Sequence, residues 1–530
     1  MPTRRDPSRS CLLALAFALA GCGGGYGGYR TAQAPPARAY APSALSAPSA
    51  SAAGTASPEP STKEEHVDYG VNPFVDAKAD RLSTFSIDVD TASYSFARRK
   101  LLQENVLPPV ASVRAEEFLN AFDYGYAPPD PGGEIPFDVH FAAAPSPFAE
   151  GRHVVRIGVQ AKRVSMQERR PVHLVYLVDV SGSMSSPKRL PLAKRSLALL
   201  TETLKPGDTV ALCTYAGSTR VVLEPTGIEN KARILAGIAS LDAGGGTAMS
   251  SGVQMAYDLA AKTLVKGHLN RVIVLSDGDA NIGDSSHEEI LKTVERYKDK
   301  GITLSTVGFG SGNYKDVMME QLADKGDGNY TYIDGEDEAR KVFTEQVDGL
   351  LQVVARDVKI QVELDPNVVK RYRLIGYENR DIADKDFRDD KVDAGEVGSG
   401  HSVTALYDVE LVSPRERAGS PLVVRVRHKP AKNALHGGSD EAIESAFAMP
   451  AGAIASSFEE APESYRFAVA VAGFAEVLRK SPHAASVQLE DVERLAAAAT
   501  GGRRERVELV GLVQKATALA GKKRGAPIAR

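Results

Sequence analysis

An uninterrupted apolar run, Leu174-Val175-Tyr176-Leu177-Val178, closes in Asp179-Val180-Ser181-Gly182-Ser183-Met184. A run of this length with no polar alternation offers no face to water. It therefore reads as a strand buried on both sides in a parallel sheet. The loop after such a strand lies at the carboxyl edge of the sheet, where open α/β folds place their ligands. One carboxylate and two hydroxyls on alternate residues can turn toward one point. An all-oxygen set of that kind suits a hard cation such as Mg²⁺.

The surrounding pattern repeats the motif of strand and helix. Strands are predicted at 172–179, 209–216, 219–223, 271–277, 303–309 and 329–333, with helices at 187–204, 230–241, 250–265, 286–300, 314–325 and 336–351. Strands separated by helices imply crossover connections and a doubly wound, mostly parallel sheet, an α/β unit over 171–354. Gly217-Ser218 is too short for a crossover, so 219–223 is expected as an antiparallel edge strand. Cys213 falls in a buried strand, where a core role is expected rather than reactivity.

The flanks have another rhythm. Residues 66–165 read as α+β, with strands at 82–89, 137–142 and 154–160 and helices running to 102 and over 113–122. Asp90 or Thr91 is positioned to cap the first helix. Asp88 and Asp90 have the composition of metal ligands but no third partner near in sequence, so strand-end and capping roles are expected. Residues 355–432 read as β-rich, with strands at 358–364, 402–411 and 421–428. The acids of 381–393 interleave with Lys385, Arg388 and Lys391, as in a solvated loop rather than a Ca²⁺ site. Residues 440–522 read as helical, with segments at 464–478, 487–498 and 504–519. Strands on either side of the α/β unit lack enough partners alone. They are expected to pair into one β-sandwich that carries the unit as an insertion.

The N-terminus carries Arg4, Arg5 and Arg9, then a short apolar stretch over 11–20, then Leu19-Ala20-Gly21-Cys22. This resembles the lipobox of bacterial lipoproteins. The resemblance implies a signal peptide over 1–21 and lipidation of Cys22, with a palmitate-bearing anchor at a membrane. Gly23, rather than Asp, resembles the pattern sent to the outer membrane of two-membrane bacteria rather than the inner. Residues 22–65 are mostly Gly, Ala, Pro, Ser and Tyr, too poor in large aliphatics to fold, and read as a disordered tether. A flexible chain of that length reaches about 35 Å. No later stretch is long and apolar enough for a membrane-spanning helix. Only three cysteines are present, too few for a disulfide framework. A net charge of −4 favours no nucleic-acid partner. The chain has no Gly-x-x-x-x-Gly-Lys-Ser/Thr loop and so no expected nucleotide.

Two further loops match the first in chemistry, Gly244-Gly245-Gly246-Thr247 and Leu275-Ser276-Asp277-Gly278-Asp279. In this order the three resemble the von Willebrand factor type A domain and its metal-ion-dependent adhesion site, over about 172–351. The resemblance implies Ser181, Ser183 and Thr247 as hydroxyl ligands, Thr247 in some states only. It implies that Asp179 and Asp277 act mainly through bound waters, and Asp279 has no counterpart in it. Mg²⁺ is the expected ion, with Mn²⁺ or Ca²⁺ as alternatives, and an Asp or Glu carboxylate of a protein partner completes the shell. The flanks, at Ser83-Thr84-Phe85-Ser86-Ile87-Asp88 and on to 94, at Tyr372-Arg373-Leu374-Ile375-Gly376-Tyr377-Glu378-Asn379-Arg380, and at Gly400-His401-Ser402-Val403-Thr404-Ala405-Leu406-Tyr407, resemble a family of bacterial lipoproteins with such a domain between characteristic flanking regions.

The expected function is that of a membrane-anchored, metal-dependent protein-binding module, for adhesion or scaffolding, in the bacterial cell envelope. It is not that of an enzyme. The alternatives are an envelope scaffold acting through its flanks with the metal site unused, and a phosphatase-like hydrolase with Asp179 as nucleophile. The second lacks its acid/base, because Ser181 stands where an Asp is needed. A zinc protease is excluded because His287-Glu288-Glu289-Ile290-Leu291 lacks the second His.

Overall fold

A computed structural model describes residues 66–130, 132–165, 168–278, 284–310, 316–412, 420–431 and 441–524. The expected signal peptide and tether, Cys22 and Asp279 lie outside these. In chain order the N-terminal flank comprises β1 (Val75–Asp76), β2 (Leu82–Ser86), α1 (Ala92–Arg99), α2 (Ala115–Asn120), β3 (Phe137–Pro145) and β4 (Arg152–Ala161). The α/β unit follows as β5 (Val172–Asp179), α3 (Leu190–Thr203), β6 (Thr209–Tyr215), β7 (Thr219–Gly227), α4 (Lys231–Ala239), α5 (Met249–Lys262), β8 (Leu269–Ser276), α6 (Asp284–Lys298), β9 (Ile302–Phe309), α7 (Asp316–Lys325), β10 (Tyr330–Ile333), α8 (Glu336–Arg340) and α9 (Val347–Leu351). The C-terminal flank is β11 (Val353–Leu364), β12 (Val369–Ile375), β13 (Gly395–Gly398), β14 (Ser402–Leu411), β15 (Leu422–Pro430) and β16 (Ile443–Ala448), then α10 (Glu463–Leu478), α11 (Leu489–Ala497) and α12 (Arg504–Arg524).

The central sheet has the order β10-β9-β8-β5-β6-β7. Every pair is parallel except β6 with β7, which is antiparallel and forms the expected edge. All eight residues of β5 are buried. Leu174, Tyr176 and Val178 pack under α3, α4, α8 and α9. Val175 and Leu177 pack under α5, α6 and α7. A strand whose two faces are both covered has no use for polar alternation, which is why its sequence is continuously apolar. Each fully buried aliphatic side chain here contributes about 1.5–3 kcal/mol.

The flanks meet as the sequence suggested. One sheet runs β1-β12-β14-β4-β3, so β4, before the α/β unit, pairs with β14, after it. The other runs β13-β11-β15-β16, and β2 joins it against β11. Their inner faces share one core that includes Phe85, Ile157, Val362, Tyr407 and Val424. The outer face of the first sheet is covered by α1, α2, α10, α11 and α12, through Ala142, Ala144, Val154 and Leu406.

Some local expectations are corrected. The segment expected to be helical from 440 opens with strand β16, paired with β15, and its first helix begins at Glu463. β12 was missed as a strand, because four polar or aromatic residues, Lys370 to Arg373, interrupt its apolar pattern. Neither Asp90 nor Thr91 caps α1 with its side chain: the cap position is Thr91, without a side-chain bond. Asp90 Oδ1 instead accepts the Tyr330 N–H at 3.2 Å, 240 residues away. Helix 336–351 is interrupted by a π turn at Lys341–Glu345. Loop 381–393 is largely exposed, as expected, and is tied to the sheets as well, with Asp384 accepting from Thr84 at 2.5 Å and Asp390 from Arg427 at 2.7 Å. Cys213 is buried in β6, and burial pushes its thiol up to about 12.

Candidate functional site

Three loops meet at the carboxyl edge of the central sheet. β5 and β8 are parallel neighbours with Val178 opposite Leu275, so Asp179 and Ser276 close their strands at one level. Asp179 is fully buried. Its Oδ1 accepts the Ser181 backbone N–H at 2.8 Å, an Asx turn that folds the loop back over the strand end. Its Oδ2 accepts the Ser276 hydroxyl at 2.9 Å, and Ser276 Oγ accepts the Gly278 N–H at 3.1 Å. The first and third loops are thereby one hydrogen-bonded unit.

Between Ser181 and Ser183 the chain enters a 3₁₀ turn, Gly182–Ser185, anchored by the buried Met184. The two hydroxyls stand 2.9 Å apart. Adjacent ligands of an octahedral Mg²⁺, each bound at 2.0–2.1 Å, are about 3 Å apart. The second loop is stitched to the first by two backbone bonds, Gly244 N–H to Val180 O at 2.7 Å and Gly182 N–H to Gly245 O at 3.0 Å. Gly245 has φ +90°, a left-handed conformation that favours glycine. Thr247, half-buried, follows at the same edge.

Asp277 is 2% exposed. Its Oδ2 accepts from Arg189 Nη1 at 2.7 Å, and the same nitrogen donates to the Ser183 carbonyl at 2.6 Å. Burial, opposed by the Ser181 hydrogen bonds, raises the Asp179 carboxyl from its usual range. Burial first, and then the Asp179 charge, hold the Tyr215 phenol far above its own. A cation beside Asp179 would favour its ionised form.

The donors are hydroxyls and carboxylates, with no sulfur or imidazole, and they fit a hard divalent ion. Among the described residues no group of three or more His, Cys, Asp or Glu is arranged to hold a metal, so a metal at this edge would need the hydroxyls as well. Asp179, Ser181 and Ser183 are joined by hydrogen bonds in sequence, Asp277 through Arg189 to the Ser183 carbonyl, and Thr247 through the backbone stitches of its loop. Sequence reasoning passed over Ser276 and Arg189. Ser276 was legible as the strand's last residue beside Asp277. Arg189 lies six residues after Ser183 with no periodic signal.

A family profile for the von Willebrand factor type A domain matches residues 173–346. A profile described as von Willebrand factor matches 60–156, and one for the C-terminal region of the uncharacterized protein YfbK matches 349–519. The uncharacterized protein YfbK of Escherichia coli (strain K12) is 36% identical over 465 residues, which cover 84% of this chain and 80% of that protein. The uncharacterized protein sll0103 of Synechocystis is 28% identical over 232 residues, 43% of this chain and 54% of that one. Among solved structures, a von Willebrand factor type A protein from Catenulispora acidiphila aligns over 73% of this chain and 91% of its own, with TM-score 0.41 and 17% identity.

Proposed function

This chain belongs to the YfbK-like family of von Willebrand factor type A domain proteins, and from that premise we propose that it is a divalent-cation-dependent binding module that recognises a carboxylate on a protein partner. The observation that carries this reading is the pair of hydroxyls, Ser181 and Ser183, held 2.9 Å apart beside two buried carboxylates on neighbouring strands. Ser181, Ser183 and Thr247 offer neutral oxygens. Asp179, whose two oxygens already hold the Ser181 N–H and the Ser276 hydroxyl, is suited to act through water, as is Asp277. When bound, an ion such as Mg²⁺ supplies a coordination position that an acidic side chain of a partner can take. The reading contains no bond-breaking step. The position two residues after Asp179 holds a serine whose hydroxyl faces Ser183, not a proton-donating acid.

The proposal includes location. The lipobox ending in Cys22 and the tether of 22–65 support a lipid-anchored protein of the bacterial cell envelope, at the outer membrane where there are two.

Calorimetric titration of the purified protein with Mg²⁺ or Mn²⁺, with Asp179→Ala as control, tests the ion. A pull-down from envelope extract with and without chelator tests the partner. If neither ion binds nor shifts melting, the reading fails. If an ion binds but no partner is retained in a metal-dependent way, a scaffold acting through the flanks gains. That second reading is supported by the sandwich that strands from both flanks build together.

A further inference from the structure

One charged side chain lies within the site and has no part in the reading above. Arg189 Nη1 donates both to the Ser183 carbonyl, at 2.6 Å, and to Asp277 Oδ2, at 2.7 Å. The arm is wedged rather than free to swing. Its side chain is 17% exposed. Gly310 packs against its stem: a Cβ there would stand 2.7 Å from Arg189 Cγ and 2.9 Å from Cδ, too close for any side chain to coexist with the arm as placed. The Gly310 carbonyl is held in turn by Arg99 Nη1 at 2.5 Å and by the Tyr332 hydroxyl. Arg99 is the buried last residue of α1, so the N-terminal flank helps fix the wall on which Arg189 rests.

The charge balance gives this placement a consequence. Among the described residues of the three loops, Asp179 and Asp277 bring two negative charges, and Arg189 beside them returns one positive charge. A divalent ion added to that set leaves it net positive by one. Without Arg189, the same ion would leave it neutral. Within this set the guanidinium thus opposes the incoming cation and, once the cation is in, leaves a positive charge that favours an anion.

We propose that Arg189 is a resident cation of the adhesion site that sets its selectivity, weakening its hold on the divalent ion and reserving the loaded site for an acidic partner. The proposal rests on the metal-dependent reading above and deepens it.

The test uses the full chain as wild type, Arg189→Gln and Arg189→Lys, titrated calorimetrically with Mn²⁺ and melted in parallel. Gln removes the charge and keeps a polar arm, whereas Lys keeps the charge and loses the fork. The Gln variant is expected to bind Mn²⁺ roughly tenfold tighter than wild type. The Lys variant is expected to stay within about threefold of wild type. Acetate, as the simplest carboxylate probe, is expected to tighten Mn²⁺ binding in wild type more than in the Gln variant. If wild type binds Mn²⁺ and Arg189→Gln binds it no more tightly, Arg189 has no such role and the metal-dependent reading stands. If only the Gln variant binds, Arg189 keeps the ion out and the proposal holds in its strongest form. If neither folded protein binds, both readings fall together. Should Arg189→Gln unfold, Gly310→Ala takes its place: it crowds the arm off Asp277, with the same tighter binding expected, and unchanged or weaker binding overturns the proposal.

Discussion

Two groups of buried carboxylates follow strands in this molecule, and they differ in what surrounds them. Asp179 and Asp277, at the ends of β5 and β8, are met by hydroxyls, backbone N–H groups and the single guanidinium of Arg189. Asp88 and Asp90, after β2, are met by Arg380, which also holds Glu320 at 2.9 Å and Asp324 at 2.8 Å. The second group spans three parts of the chain: the N-terminal flank, α7 of the α/β unit, and the segment after β12. Its members are locked to one another, so it is a joint. The first group presents the neutral hydroxyl oxygens of Ser181 and Ser183, and on these its proposed role as a receptor rests. Carboxylate composition is alike in both, and the partner residues decide the role.

Neutralising one charged member of each group should separate joint from receptor. Arg380→Met leaves three buried acids, Asp88, Asp90 and Glu320, and the half-buried Asp324 around an uncharged stem, and is expected to cost about 3–5 kcal/mol by denaturant unfolding near neutral pH. Acid should restore part of that loss, because burial already raises Asp90 and Asp324 above their usual range and both would take up protons. The paired change at the site, Asp179→Asn, keeps the shape and the acceptor for Ser181, and is expected to cost within about 1 kcal/mol. Equal losses from the two substitutions would erase the distinction.

Glu116 sharpens the comparison through pH. It is completely buried at the edge of the joint, and burial, with the nearby Glu378 and Asp88 charges, pushes its carboxyl up to about 7 from 4.5. The unfolded chain gives up this proton near 4.5 and the folded protein near 7, so between the two the folded state holds more protons. Stability contributed by this group therefore falls as pH rises through that window, by roughly 3 kcal/mol in all. Glu116→Gln is expected to raise stability by up to that amount at about pH 8 and to change it little at about pH 4. Urea unfolding at both values checks it. A gain that does not grow with pH would mean that the Glu116 charge is compensated within the joint.

The α/β unit was legible because its parallel strands are covered on both faces, and the resulting apolar runs stand out against amphipathic helices. The three site loops were legible because small and oxygen-bearing residues follow those strands directly. The joint was not. Asp90 looks like a helix cap, being one residue before Thr91 and the first turn of α1, and its real partners are the Tyr330 N–H and Arg380, hundreds of residues away. Arg189 was invisible for a related reason. Its contacts to Ser183 and Asp277 arise from a loop trajectory, and no spacing rule connects 183, 189 and 277. Strand β16 escaped because its half-exposed edge carries a weak pattern, with exposed Ile443 at its start.

The smallest expected effect tests whether Asp90 and its neighbour act locally or across the fold. A threonine that caps a helix through its side chain loses about 1 kcal/mol on replacement by alanine. Thr91 occupies the cap position of α1 with no side-chain bond. Thr91→Ala should therefore change stability by less than about 0.5 kcal/mol, as for a site with no special contact. Asp90→Asn, one residue earlier, removes a charge from the Arg380 cluster, so its effect should depend on pH while that of Thr91→Ala should not. Thermal melts of the two variants at about pH 5 and about pH 8 distinguish them. A full cap-sized loss at Thr91 would return this segment to local helix capping and weaken the claim that the joint is built from long-range ion pairs.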